Sequence, residues 1–395
     1  MMQNDAIVIV GMARTAMGGF QGSLSGHSAS ELGAVAIRAA VARAGVAPEA
    51  VEEVIMGCVL PAGQGQAPAR QAAIKGGLSL AAGATTINKM CGSGMKALML
   101  AHDLLKAGSN TVMVAGGMES MSNAPYIIPK ARGGLRLGHG ELKDHMFLDG
   151  LEDAYDKGKL MGVFAEMCAE KYGFSRAAQD EFAIASLTRA QHAITSGAFK
   201  GEIAAVTVVG RKGEEVVAED EQPLKANLDK IPTLKPAFKK DGTVTPANAS
   251  SISDGAAALV LMRESEAAAR GLTPLARIVG HSTHAHEPAW FSTAPVGAMQ
   301  KLLAKAGWTV DDVDLFEINE AFAVVTMAAM HDLGLPHAKV NVNGGACALG
   351  HPIGASGARI AVTLIAALQA RGLKRGVASL CIGGGEATAL ALELV

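Results

Sequence analysis

An internal repeat constrains this chain more than any other feature of its sequence. Ser93-Gly94 opens an alanine-rich helical segment that stops at Gly108, 15 positions further on, and Ser356-Gly357 opens one that stops at Gly372 after 16 positions. In both copies a strand-like run leading to a glycine pair follows. Glycine ends helices because it adopts positive φ without a Cβ penalty. The repeat therefore predicts two copies of one α/β unit.

Short β-branched runs alternate with amphipathic segments around these copies. The first half reads as strands at 6–10, 53–56 and 111–114, with helices at 30–44 and 91–107. Ser30 is the expected N-cap of the first helix and Gly45 its stop. Such alternation is typical of α/β proteins and predicts a largely parallel sheet with helices on its faces.

Between the two units the sequence changes character. Residues 121–250 contain scattered glycines, a helical segment at 176–196 and a charged, proline-broken stretch at 211–241. At 395 residues the chain also exceeds one ordinary core. We expect a first half at 1–120 plus 251–271, an inserted loop domain at 121–250, and a second half at 272–395.

Composition excludes several classes of function. The net charge is −2 and only 4% of residues are aromatic, so nucleic acid is not an expected partner. No apolar run approaches the ~20 residues that span a bilayer, and residues 1–10 do not resemble a signal peptide. Five irregularly spaced cysteines indicate reduced thiols rather than a disulfide framework, which favours the cytoplasm.

Two of these cysteines lie next to glycines, where backbone amides approach a reacting atom closely. Cys91 stands in NKMCGSG (88–94), at a predicted helix start that favours a thiolate, and Cys381 ends a strand in CIGGG (381–385). His351 lies in a glycine-rich loop and supplies the base that a cysteine nucleophile requires. Two thiols and one imidazole predict acyl transfer coupled to proton abstraction.

The same pattern suggests a division of roles. Cys91 is the predicted nucleophile, and Cys381 would remove a proton from the carbon α to a thioester while Cys91 holds the acyl group. The amides of Gly383 and Cys91 would form an oxyanion hole. Asn319 follows the predicted strand 315–318 and is either a helix N-cap or a polar group of the site.

The remaining candidates have simpler interpretations. Cys347 is expected to pack in a tight turn, and Cys58 and Cys168 to be structural. Three histidines have ligand-like spacing but only Glu287 as an acidic neighbour, so no metal site is expected; they are His281, His284 and His286.

Four motifs in order resemble those of the thiolase family, and specifically its acetyl-CoA acetyltransferase branch. They are NKMCGSGMKA (88–97), NEAF (319–322), NVNGG with GHPIGASG (341–345 and 350–357) and CIGGG (381–385). The resemblance runs nearly end to end. It implies a five-layer αβαβα fold of two similar halves with an inserted loop domain, assembled as a homotetramer, a dimer of dimers.

The resemblance also implies site residues. Cys91 would carry the acetyl group, His351 would activate it, Cys381 would act as acid and base, and Asn319 would hold a water that binds the thioester oxygen together with His351. Ser250 matches a residue that contacts the pantetheine arm. The residues matching the pocket walls are Met161, Ala237, Phe238, Ala321 and Phe322.

The implied reaction is the reversible Claisen condensation of two acetyl-CoA to acetoacetyl-CoA and CoA, with coenzyme A as substrate and no other cofactor. A degradative 3-oxoacyl-CoA thiolase for longer or branched chains in fatty-acid β-oxidation is the alternative. Leu160 and the bulky segment 287–295 depart from the short-chain pattern, as does 385–389, so chain-length preference stays open. A decarboxylating ketoacyl synthase would not need Cys381, and a non-catalytic acyl-CoA carrier would need neither cysteine.

Overall fold

The computed structural model describes residues 5–210 and 213–395. Residues 1–4, on which the interpretation of the chain start partly rests, lie outside these ranges, as do Arg211 and Lys212 of the charged stretch. Among the described residues no helix is long and apolar enough to cross a membrane.

The regular elements follow the predicted alternation. The strands are β1 (Ile7–Thr15), β2 (Gly18–Gly19), β3 (Glu53–Gly57), β4 (Gly83–Ile87), β5 (Val112–Ser120), β6 (Tyr126–Ile127), β7 (Lys143–Asp144), β8 (Ile203–Ala204), β9 (Val206–Gly210), β10 (Gly213–Val217), β11 (Ser253–Arg263), β12 (Ala276–Ala285), β13 (Leu315–Ile318), β14 (Arg375–Ile382) and β15 (Glu386–Leu394). The helices are α1 (Ala29–Ala44), α2 (Pro68–Lys75), α3 (Ser93–Ala107), α4 (Met161–Tyr172), α5 (Arg176–Ser196), α6 (Glu221–Lys225), α7 (Glu264–Ala269), α8 (Ala294–Ala306), α9 (Ala323–Leu333), α10 (Ala346–Leu349) and α11 (Ser356–Arg371).

The main sheet contains the same strand order twice. In the first half β4, β3 and β5 are parallel to one another. β11 then pairs antiparallel with β5, and β1 pairs antiparallel with β11. In the second half a bridge at Val340 leads to the parallel β13 and β14, and then to the antiparallel β15 and β12. The halves join where β1 pairs with β12. The doubling is confirmed.

The expectation of a largely parallel sheet was too simple. Only two of the four strand pairings in each half are parallel. In the second half β14 and β15 are joined by the three glycines at 383–385, and a connection that short forces antiparallel pairing. The equivalent strands of the first half, β5 and β11, are separated by residues 121–252. That segment contains β6 to β10 and α4 to α6.

Three hydrophobic cores separate five layers. Alternate residues of each strand enter different cores, so that Val8 and Val260 face α1 and α2 while Ile9 and Leu261 face the central helices α3 and α11. The strands of the second half face the same central core on one side and α8 and α9 on the other. This helix, sheet, helix, sheet, helix order confirms the αβαβα fold.

The first helix begins earlier than expected. The hydroxyl of Ser28, not Ser30, accepts the N–H of Glu31, and the Glu31 carboxylate accepts the N–H of Ser28. This reciprocal capping box satisfies two N–H groups at once, which Ser30 does not do. Gly45 ends the helix with φ of 65°, as predicted.

The two central helices cross closely at their first turns. A Cβ on Gly94 would lie 2.7 Å from the Ala358 nitrogen, and one on Gly357 would lie 2.4 Å from the Met95 nitrogen. Both contacts are shorter than packed atoms allow, so the glycine of each Ser-Gly pair permits the crossing. Because Cys91 and His351 precede these helices, the crossing brings their loops together.

Candidate active site

One cavity of about 360 Å³ contains ten of the eleven predicted site residues. It lies between the inserted segment and the ends of the central helices. The predicted residues on its wall are Cys91, Met161, Ala237, Phe238, Ser250, Ala321, Phe322, His351, Cys381 and Gly383. The eleventh, Asn319, lies behind His351, fully buried.

Cys91 is held in a tightly constrained loop between β4 and α3. Met90, the residue before it, has a left-handed φ of 47°, which is uncommon outside glycine. The side chain of Asn88 supports this turn by accepting the Met90 N–H at 2.9 Å. The loop therefore presents Cys91 at the start of the helix, as the sequence predicted.

The Cys91 thiol is protonated at rest. Burial raises its pKa to about 11, and hydrogen bonds from the backbone N–H groups of Gly383 and Cys91 oppose that rise. These two N–H groups are the pair expected to form an oxyanion hole. A base must take the thiol proton during attack.

The hydrogen bonds of His351 fix which ring nitrogen is that base. Nδ1 lies 2.5 Å from the Ser356 hydroxyl, which gives its single proton to the Pro352 carbonyl at 2.9 Å. Ser356 must therefore accept from Nδ1, and Nε2 keeps its lone pair. Burial, aided by the Arg359 guanidinium, lowers the pKa of His351 to about 3, so the ring is neutral.

Asn319 lies beside His351 and does not cap a helix. α9 begins at Ala323, with Phe322 at its N-cap position, so the capping alternative is wrong. The Asn319 Nδ2 lies 3.5 Å from both ring nitrogens of His351. Its Oδ1 has no protein partner among the described residues. A buried amide oxygen in that state is suited to hold a water molecule.

Cys381 lies at the end of β14 and is 1% exposed. Burial and the nearby Cys91 raise the pKa of its thiol well above the ordinary value. Both cysteines are therefore neutral thiols in the resting site. They line the same cavity, and each comes from a different half of the fold.

Glu119 is a buried acid that was not among the residues expected at the site. Its carboxylate accepts N–H groups from Val59 and Leu60, which follow β3, and from Gly354 in the His351 loop, at 2.8 to 3.1 Å. Burial raises its pKa to about 7. It lies within β5, two residues after the first glycine pair at 116–117. A charged residue among small and apolar ones was the available signal.

Apolar side chains form most of the cavity wall. The rings of Phe238 and Phe291 lie 6.0 and 6.3 Å from that of Phe322. A side chain on Gly162 would overlap Phe238, since its Cβ would lie 2.3 Å from the ring. The Ser250 hydroxyl donates to the Ala321 carbonyl at 2.9 Å. The wall of the cavity is thus largely apolar, with a few polar groups among its lining residues.

The other three cysteines do not line this cavity. Cys168 is in the core beside Phe164, and the Cys347 sulfur is 3.7 Å from the Glu320 carbonyl oxygen. Cys58 has polar neighbours that its sequence setting did not suggest, since its sulfur is 3.6 Å from Glu119.

The three spaced histidines do not come together. His281 hydrogen bonds to Asp103 at 2.9 Å, and His102 reaches the same carboxylate oxygen at 3.0 Å. His284 stacks edge-on against His286 instead.

Comparisons with known proteins identify the family of this fold. The thiolase N-terminal domain matches residues 7–265, and the thiolase C-terminal domain matches residues 272–394. The chain belongs to the thiolase family.

Its relatives include proteins of similar length. The acetyl-CoA acetyltransferase of Cupriavidus necator is 52% identical over 98% of this chain and 99% of its own length. That of Escherichia coli K12 is 53% identical over 98% of both chains. Acetyl-CoA acetyltransferase 2 of Arabidopsis thaliana is 52% identical over 98% of this chain and 97% of its own length.

Proposed function

We propose that this chain catalyses the reversible condensation of two acetyl-CoA to acetoacetyl-CoA and CoA, through an acetyl group carried on Cys91. The observation that carries the proposal is the single cavity that brings Cys91, His351 and Cys381 together. The names of the relatives support acetyl-CoA as the substrate. Coenzyme A enters as substrate, and the mechanism requires no metal or other cofactor.

The first step transfers an acetyl group. Nε2 of His351 takes the Cys91 proton as the sulfur attacks the thioester carbon, and the Gly383 and Cys91 amides stabilise the oxyanion. The carbon–sulfur bond to CoA breaks, and Cys381 gives its proton to the departing thiolate. Acetyl-Cys91, a Cys381 thiolate and a protonated His351 remain.

The second step forms the carbon–carbon bond. The Cys381 thiolate removes a proton from the methyl carbon of a second acetyl-CoA, whose thioester oxygen is stabilised by His351 and a water held by Asn319. The resulting carbanion attacks acetyl-Cys91 and expels the Cys91 thiolate. His351 returns its proton to Cys91, and the three groups regain their resting states.

The cavity wall suggests how the substrate lies. Met161, Ala237, Phe238, Ala321 and Phe322 would enclose the pantetheine arm, with Ser250 as its polar contact. A second cavity of about 230 Å³ shares Pro246 and Ser251 with the first and includes Lys230. A cation there suits the phosphates of CoA.

The division of the chain and its setting are part of the proposal. The inserted domain at 121–250 would bind CoA and carry oligomer contacts, between a first half at 1–120 plus 251–271 and a second half at 272–395. Leu137 and Tyr155 in that segment are 99% and 74% exposed, which supports a homotetramer. Five free cysteines suit the cytoplasm, and the product suits fatty acid metabolism.

Thiolysis of a series of 3-oxoacyl-CoA substrates tests the substrate assignment. We expect kcat/KM to be highest for the four-carbon substrate and to fall steeply beyond it. A flat profile, or a preference for a 2-methyl-branched member, would favour the degradative alternative. A purified Cys91→Ser variant that kept turnover would refute the reaction class itself.

A further inference from the structure

Two charged residues beside the catalytic cysteines have no role in the proposed reaction. Lys89 stands two positions before Cys91 in the β4–α3 loop of the first half. Glu386 is the first residue of β15, directly after the glycines 383–385 of the second half. Neither lines the catalytic cavity.

The two side chains form an ion pair across the two halves. The Lys89 Nζ contacts the Glu386 Oε2, and the side chains are 24% and 35% exposed. A half-buried pair is less screened by salt than an exposed one. Lys89 is also tied to its own loop, because its backbone N–H donates to the Ser93 hydroxyl at 2.8 Å. The pair therefore connects two segments that are each locally fixed.

The same two segments meet at two further points. A Cβ on Gly92 would lie 2.4 Å from the Ile382 side chain, so the missing side chain lets the Cys91 loop rest against β14. Gly383 and Cys91 also lie on the wall of the same cavity. Residues 89–92 and 382–386 thus form one joint between the halves, in which the ion pair is the charged contact.

We propose that Lys89 and Glu386 are a positioning pair, which holds the Cys91 loop against the Gly383 turn and so sets the geometry of the oxyanion hole. The inference rests on the proposed function, in which the Gly383 amide stabilises the tetrahedral intermediates at Cys91. Oxyanion stabilisation requires donors at hydrogen-bond distance from a fixed point, so a small shift of either segment slows the reaction. The pair acts on the transition state and not on substrate affinity.

A double-mutant cycle tests the pair. Lys89→Met and Glu386→Gln should each lower kcat by about 3- to 10-fold with KM within about twofold, as expected for loss of one positioning contact. The double neutral variant should be no slower than either single variant. The reversed pair, Lys89→Glu with Glu386→Lys, should recover much of the lost rate, which loss of packing alone does not predict.

A matched control is the Arg270–Glu266 pair on α7, whose side chains are 35% and 26% exposed. Arg270→Met and Glu266→Gln should leave kcat unchanged. Wild-type rates in the Lys89 and Glu386 variants, additive losses in the cycle, or a raised KM for CoA at constant kcat would each overturn the positioning role. These outcomes differ from failure of the proposed function, because that failure would appear as turnover by Cys91→Ser.

Discussion

The two halves of this protein use the same local structure, a serine at the start of a central helix, in different ways. Ser93 and Ser356 occupy the first positions of the equivalent helices α3 and α11. Ser93 donates to the Met90 carbonyl at 2.6 Å and accepts a backbone N–H from Lys89, while Ser356 donates to the Pro352 carbonyl and accepts from the His351 ring. One serine shapes the Cys91 loop, and the other sets the tautomer of His351.

A second difference lies after the equivalent strands β5 and β14. In the second half three glycines turn the chain directly into β15, which places Cys381 and the Gly383 amide at the site. In the first half the same position opens into residues 121–252, which supply Met161, Phe238 and Ser250 to the cavity wall. Duplication thus provides a symmetric frame, and in the proposed function the divergence at its loops separates the chemistry from the binding of the substrate.

The largest effects should come from the two cysteines, because they test whether the halves carry separate steps. Cys91→Ser should lose acetyl transfer and condensation together, by about 10³-fold or more, since the nucleophile acts in both steps. Cys381→Ala should lose condensation to a similar extent but still exchange acetyl groups slowly with CoA. Equal loss of both partial reactions in Cys381→Ala would contradict the division of roles.

The two helix-start serines sharpen the comparison. Ser356→Ala frees the His351 ring to adopt the other tautomer, so kcat should fall by about 10- to 100-fold with little change in KM. In Ser93→Ala the His351 ring keeps its hydrogen bond to Ser356. We expect a smaller fall in kcat, caused by distortion of the Cys91 loop. Ser282→Ala, which removes a hydroxyl that donates to the Ala298 carbonyl at 2.6 Å outside the site, is the control. Kinetics of the three variants at several pH values would show whether the tautomer matters.

Glu119 joins the halves by accepting the N–H of Gly354. Its replacement should have the smallest effect of the changes considered, seen in the pH dependence of the free energy of unfolding. Its folded pKa of about 7 exceeds the ordinary 4.5, so between these pH values the folded protein binds more protons than the unfolded chain. Its contribution to the free energy of unfolding therefore falls as pH rises from about 4.5 to about 7. Denaturant unfolding across this range should show the free energy of unfolding of the wild type falling, as pH rises, relative to that of Glu119→Gln, whose side chain stays neutral. A constant difference would place the ionisation elsewhere.

Much of this arrangement was predictable because the sequence repeats it. The Ser-Gly pairs predicted the doubled unit, and the glycines around Cys91 and Cys381 singled out two thiols that the structure brings to one cavity. Glycine marks such places since only it tolerates the close approaches seen at Gly94 and Gly357.

What escaped prediction depends on partners distant in the chain. Glu119 gave no periodic signal, because its three N–H donors come from loops more than 50 and more than 200 positions away. For Asn319 the residues alone left a helix cap and a polar site role equally open, since a backbone position shortly before a helix is the same in either role. The antiparallel pairing of β15 with β14 depends on the three glycines at 383–385 forming a short turn. The amino-acid composition alone does not determine the length of that turn.

The most direct test of the account is the site of acetylation in Cys381→Ala. After a brief reaction with acetyl-CoA and an acid quench, peptide mass spectrometry should find the acetyl group on Cys91 in nearly every chain, because the variant forms the intermediate but does not consume it by condensation. No acetyl group on Cys91, or an acetyl group on Cys381 in the wild type under the same conditions, would contradict the assignment of nucleophile and proton carrier to the two halves.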